Sequence, residues 1–251
     1  MKKILALLLT LSMVFALSAC GSSQEEETPP DDSSPAGEGS NLVGVAMPTK
    51  DLQRWNQDGE NMKAQLEAAG YTVDLQYAAN DIPTQVSQIE NMIANGCEVL
   101  VIASIDGEAL GTVLDQAKEK NIPVIAYDRL IMGSDAVSYY ATFDNWDVGV
   151  KQGEYPVLTG QDCDIANVKN IVAGLQSMSV FKDTRDLAAK TVEMVDALMK
   201  GTEPPVNDTE TYDNGTGVIP SYLCEPKACT IDNYQELLID SGYYTEADLN
   251  G

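Results

Sequence analysis

None of the 251 residues is a histidine. That absence removes Ser-His-Asp and Cys-His catalysis, histidine-ligated zinc and the commonest general base together. Positive charge is also scarce: 15 Lys and Arg stand against 39 Asp and Glu, for a net charge of −24. A chain so acidic offers no patch for neutralising phosphates, which excludes nucleic acid as a partner. Cysteine is limited to five residues with no C-x-x-C spacing, so neither a metal site nor any other cofactor is expected. The stretch "GVAMPTKDLQRW" contains no phosphate-cradling glycine motif of the G-x-G-x-x-G or G-x-x-x-x-G-K-[ST] kind, which disfavours nucleotide binding. The apolar run Ile4–Leu17, about 14 residues long, is too short to span a bilayer.

That run has a different meaning. Lys2 and Lys3 precede it and Leu17-Ser18-Ala19-Cys20-Gly21 follows it, the layout of a secretory signal peptide over residues 1–20. Its end resembles the lipobox of bacterial lipoproteins, in which the cysteine becomes the lipidated first residue of the mature chain. Cys20 is then a lipid anchor, with a plain cleaved signal as the alternative. Residues 21–40 follow with six acids, no base and nothing more apolar than Pro or Ala. Such a segment cannot offset its ordering entropy and predicts a disordered acidic tether, roughly 25 Å in r.m.s. span. The expected placement is extracytoplasmic, held to the cell membrane (periplasm or outer face) by the lipid alone.

From Asn41 the hydrophobic pattern alternates between strand and helix. "NLVGVAM", "TVDLQYA", "EVLVIAS" and "IPVIAYD" are apolar runs, and the third lacks alternation, as a strand covered on both faces requires. Between them, Trp55, Met62, Leu66 and Ala69, then Val86, Ile89 and Ile93, then Leu110, Val113, Leu114 and Ala117 fall on helical stripes. Repeating βα units imply a doubly wound α/β fold with a parallel sheet. "AVSYYATFD" and a helix from Asp144 continue the scheme until Pro156, where that helix meets the strand "VLTG" almost directly. Further elements are a helix bearing Ile165, Val168 and Ile171, the strand "MSVFK", and a long helix with Leu187, Met194 and Val195. "VIPSYLCEPKACT" follows as a strand with a hairpin-like turn, and a last helix carries Tyr234, Leu237 and Leu238. In that turn Cys224 and Cys229 flank four residues, and a local disulfide is expected there, with two unpaired thiols as the alternative. Cys97 reads as core.

Ligands of open parallel sheets bind beyond the carboxyl ends of the strands. Those ends deliver Lys50, Asp51, Arg54 and Trp55; Ser104 and Asp106; Asp128 and Arg129; Asp144 and Asn145; Gln161 and Asp162; and Lys182. Paired donors and acceptors of this kind match vicinal hydroxyls, and an indole covers the C–H face of a pyranose. The set points to a neutral sugar; helix capping is the alternative for any single Asp or Asn. Asp106 and Asp162 as the acid and base of a glycosidase have no accessory pattern behind them, so no enzyme is expected.

The blocks "MPTKDLQRWNQDGENM", "QIENMIANGCEVLVIASIDG", "YYATFDNWDVG" and "IPSYLCEPKACTIDNYQELLIDSGYY" closely resemble the type I periplasmic sugar-binding proteins of ABC transporters, nearest the xylose and multiple-monosaccharide receptors. The resemblance implies two α/β lobes joined by crossing strands, with a monosaccharide of the xylose, glucose, galactose or arabinose type closed between them. It assigns Lys50, Arg54, Trp55 and Asp106 to the first lobe's share of the pocket, Arg129 and Asn145 to the first crossing, Asp162 to the second lobe and Lys182 to the second crossing. Arg129 has a hinge-locking role as its alternative. An ABC permease with its ATPase is the implied partner of a monomer; presentation of the sugar to a chemoreceptor is the second reading, and a non-binding truncated product the third. Relative to the family, a βα series is missing at Tyr155-Pro156. A first lobe of residues 41–130 plus 181–217 holds 127 residues, against 84 for a second lobe of 131–180 plus 218–251. At about 30 residues per βα unit, two to four units are absent, and weakened sugar binding is expected.

Overall fold

The strand β1 (Leu42–Met47) divides its side chains between two cores: Val43, Val45 and Met47 face one, Ala46 the other. The same split recurs along β3 (Val99–Ile102) and β4 (Val124–Tyr127), with Val99, Val101, Ile125 and Tyr127 on one side and Leu100, Ile102, Val124 and Ala126 on the opposite side. This is why those runs show no polar alternation. The computed structural model describes residues 40–153 and 158–250. The leader with Cys20, the tether to residue 39 and the Tyr155-Pro156 joint lie outside the described residues.

Six strands form the larger sheet in the order β2-β1-β3-β4-β5-β8, all parallel, with β2 at Thr72–Tyr77, β5 at Val137–Phe143 and β8 at Ser221–Cys224. Helix α1 (Gln53–Ala68) packs with α6 (Thr184–Met199) on one face; α2 (Ile82–Ala94) and α3 (Gly111–Glu119) cover the other. Local chemistry sets the helix ends. Asp81 caps α2 by accepting from Thr84 N at 2.9 Å, Pro83 sits in its first turn, and Gly96 follows its end at φ +82°.

Three short strands, β6 (Thr159–Gln161), β7 (Met178–Phe181) and β9 (Lys227–Cys229), make a second sheet in the order β6-β7-β9, with β9 antiparallel. Helix α4 (Asn145–Gly153) covers one face through Val148 against Met178 and Val180. Helix α5 (Ile165–Val172) and the π-helical turn Gln235–Asp240 cover the other through Val168, Ile171 and Leu238; a short α7 (Glu246–Asn250) ends the described chain.

Two expectations change here. The strands β5 and β8 belong to the larger sheet, so the chain passes to the smaller sheet after Phe143, back after Phe181, and to the smaller sheet again after Cys224. For the same reason "SYLCEPKAC" is no hairpin: β8 and β9 pair in different sheets, and Glu225-Pro226 is a crossing. Cys224 therefore packs in the larger core and Cys229 in the smaller, and no bond joins the two. The Cys224–Cys229 disulfide is not formed, because the crossing sends the two side chains to separate cores.

Candidate functional site

Six of the eight expected ligand residues meet at one cavity of about 320 Å³: Arg54, Trp55, Arg129, Asn145, Asp162 and Lys182. Leu52, Asp128, Gln161 and Asp164 complete its lining. The convergence follows from the parallel strands, whose carboxyl ends lie at one edge. Asp128 (φ +60°) follows β4 and Asp162 (φ +73°) follows β6, both in the left-handed region that Asp tolerates better than most residues. Tyr140 Oη and Thr142 Oγ1 both donate to the Asp128 carbonyl, at 3.0 and 3.1 Å, and hold that turn in place.

Arg54 is the hub. Its guanidinium donates to Asp128, lies 3.3 Å from Asp58 Oδ2 through Nε, and reaches Asp162 Oδ1 at 3.6 Å through Nη1. Lys182 Nζ approaches the same Asp162 oxygen at 3.0 Å. Burial works against the Arg54 charge, but the three carboxylates outweigh it and hold its pKa above the ordinary value. Burial likewise disfavours the Asp128 carboxylate, yet Arg54 and Lys182 keep its pKa below the usual range. Asp58 differs: it is fully buried, and desolvation pushes its pKa up to about 7 against the pull of Arg54 and of the Tyr127 hydroxyl, which donates to it at 2.6 Å.

Trp55 is 3 % exposed, with the guanidinium carbons of Arg54 and Arg129 at 5.2 and 5.1 Å from its ring centre. It braces the two arginines as well as lining the cavity. Arg129 Nη1 donates to the Ser104 carbonyl at 2.9 Å. Lys50 and Asp106 are not brought to this cavity. Lys50 Nζ sits 4.7 Å above the Tyr77 ring, and Asp106 Oδ1 accepts from the Glu108 and Ala109 amides, the capping arrangement. Asp106 therefore does not line the cavity that Asp162 lines. Sequence reasoning missed Asp58, although its place four residues after Arg54 on a helix was the available signal; Leu52 carried none.

Three cations (Arg54, Arg129, Lys182) and three carboxylates (Asp128, Asp162, Asp164) face the cavity, a balance suited to a neutral polar ligand in a chain that is otherwise strongly acidic. Arg54 Nε, Asp58 Oδ2 and Asp162 Oδ1 are buried without a well-aligned hydrogen bond, although Lys182 Nζ stands 3.0 Å from the last of them. A larger cavity of about 440 Å³ involves Val172 and Ala173 at the end of α5, with Tyr234 and Leu249. The end of a crossover helix points to the amino edge of its sheet, away from the converging charges.

The sequence matches the periplasmic binding protein domain family over residues 43–157. It is 37% identical over 322 residues to the multiple sugar-binding periplasmic protein SbpA of Azospirillum brasilense, spanning 82% of this chain and 90% of that one. The chain belongs to the periplasmic sugar-binding proteins. Members similar to it include the multiple sugar-binding periplasmic receptor ChvE of Rhizobium radiobacter, 36% identical over 80% of this chain and 90% of that one. A solute-binding protein of an ABC transporter from Clostridium phytofermentans, solved with β-D-glucose, is 48% identical with a TM-score of 0.81, covering 83% of this chain and 99% of that one. An alignment of 322 residues is longer than this 251-residue chain. A block of the family fold is thus missing here.

Proposed function

We propose that this chain is an extracytoplasmic receptor that takes a neutral monosaccharide, of the glucose, xylose, galactose or arabinose type, into the cavity between the two sheets and presents it to an ABC permease and its ATPase. The observation that carries this is the convergence of Arg54, Asp128, Asp162 and Lys182, charge-balanced and partly unsatisfied, on one cavity at the strand ends. In this reading Asp128 and Asp162 accept from sugar hydroxyls, Arg54 and Lys182 donate, Asn145 contributes at the rim, and Trp55 and Arg129 frame the pocket. Lys50 and Asp106 keep structural roles. The protein acts as a monomer, without chemistry of its own, tethered by residues 21–40 to a lipid on Cys20. Each lobe is built around one of the two sheets.

The missing block weakens capture, because the smaller sheet presents only part of a cleft wall. Trp146, Leu158 and Leu175 on that side are 80 %, 49 % and 68 % exposed, apolar surface that a complete lobe would cover. Calorimetric titration with the four sugars tests both parts. The chain as it stands is expected to bind more weakly than micromolar, and the chain with the SbpA block restored at Tyr155-Pro156 to reach micromolar affinity for at least one sugar. Micromolar affinity without the block overturns the impairment; no binding with it overturns the sugar assignment.

A further inference from the structure

We propose that Cys163 and Cys229 form a disulfide that ties the turn carrying Asp162 to β9. Both are fully buried and belong to the same small core, while Cys97 and Cys224 lie in the two cores of the larger sheet. Ser179 locates them relative to each other. In the antiparallel pairing of β7 with β9, Ser179 stands directly opposite Cys229, so the two side chains point to the same face. The amide of Cys163 is a donor to Ser179 Oγ at 3.2 Å, and its Sγ lies 3.5 Å from the Ser179 carbonyl oxygen. Cys163 therefore sits over the face on which Cys229 projects. Its Sγ donates to the Ser179 carbonyl, and the neighbouring Cys229 thiol, with burial, raises the Cys163 pKa well above the usual thiol value. A sealed thiol of this kind does not react as a thiolate in the finished fold, so the bond closes during folding.

The oxidant is of the disulfide class: glutathione disulfide or the C-x-x-C disulfide of a thiol oxidoreductase. One cysteine thiolate attacks an oxidant sulfur and expels a thiolate; the second cysteine then attacks the mixed disulfide. The S–S bond costs the pair two electrons and two protons, and the oxidant leaves as two thiols. Such oxidants act outside the cytoplasm, in the compartment for which the relatives are named. The consequence is local and functional. The bond encloses α5, β7, α6 and β8 in one loop, restricting the unfolded chain where the core is smallest. It also fixes the backbone beside Asp162, where two consecutive non-glycine residues hold positive φ, +73° and +50°.

The test is refolding of the full chain from denaturant in a glutathione redox buffer, followed by alkylation under denaturing conditions and peptide mapping by mass spectrometry. The expected map links the Cys163 and Cys229 peptides, with Cys97 and Cys224 fully alkylated, and reductant then lowers the melting temperature by about 5 °C or more. Complete alkylation of Cys163 and Cys229, or a link that includes Cys224, overturns the proposal. The variant Cys229→Ser is expected to lose the reductant effect while Cys224→Ser keeps it; should Cys229→Ser fail to fold, the wild-type map still decides. None of these readouts depends on sugar binding.

Discussion

Arg54 Nε and Asp58 Oδ2 stand 3.3 Å apart, one turn along α1, and neither atom makes a hydrogen bond. The ion pair is buried but imperfectly aligned, so the attraction does not repay the desolvation of the carboxylate, and the Asp58 pKa is pushed up to about 7. A raised carboxyl pKa means that the fold holds a proton the unfolded chain has already released above about pH 4. The stability from Asp58 is therefore full below that pH and is lost as pH rises through 7. Melting of wild type and Asp58→Asn between pH 5 and 8 is expected to show wild type losing ground to the variant by an amount on the order of a few kcal/mol. A difference between the two that does not change with pH would contradict this account.

Gly44 has no room for a side chain. A Cβ there meets Leu100 Cδ2 at 2.8 Å, Met92 Sδ at 2.9 Å and Cys97 Sγ at 3.2 Å, all in a sealed core. Gly44→Ala is expected to cost about 1–3 kcal/mol by overpacking, read from urea unfolding; an unchanged midpoint would show that the core yields more easily than its packing implies.

Asn214 pins the long connection between α6 and β8. Its buried amide donates to the Ile131 and Ser134 carbonyls at 3.2 and 2.7 Å and accepts from Thr216 N at 3.1 Å. Asn214→Ala leaves these groups unpaired and is expected to cost roughly 2–3 kcal/mol. Hydrogen exchange of the Gly133 amide, which donates to the Asn214 carbonyl, is expected to accelerate with it; unaltered protection would place the anchor elsewhere.

Trp146 is 80 % exposed on a helix whose buried contact is Val148. Trp146→Ser is expected to change unfolding free energy by less than about 0.5 kcal/mol and to reduce binding of an apolar fluorescent dye. Undiminished dye binding would mean that the exposed apolar surface lies mainly elsewhere.

The parallel strands and their helices were legible because period and burial agree. β3 and β4 read as uninterrupted apolar runs, and they carry helices on both faces. The site was legible to the extent that strand ends converge: Arg54, Arg129, Asn145, Asp162 and Lys182 were all named from that rule. Asp106 followed the competing rule, since a carboxylate two residues before free amides caps them. Asp58 went unnoticed because a carboxylate in mid-helix looks like solvated surface until a partner strand, with Tyr127, is laid across it.

The amino-acid sequence by itself determined the secondary elements, the family and the place of the missing block, because these depend on local periodicity and on long specific matches. Only the tertiary structure decided the pairing of strands and the core in which each cysteine is buried. Cys224 and Cys229 are close in sequence, but a strand crossing sends them to different cores, while Cys163 meets Cys229 across the small sheet. Strand order is a non-local property, set by which apolar faces find cover, and no spacing along the chain encodes it.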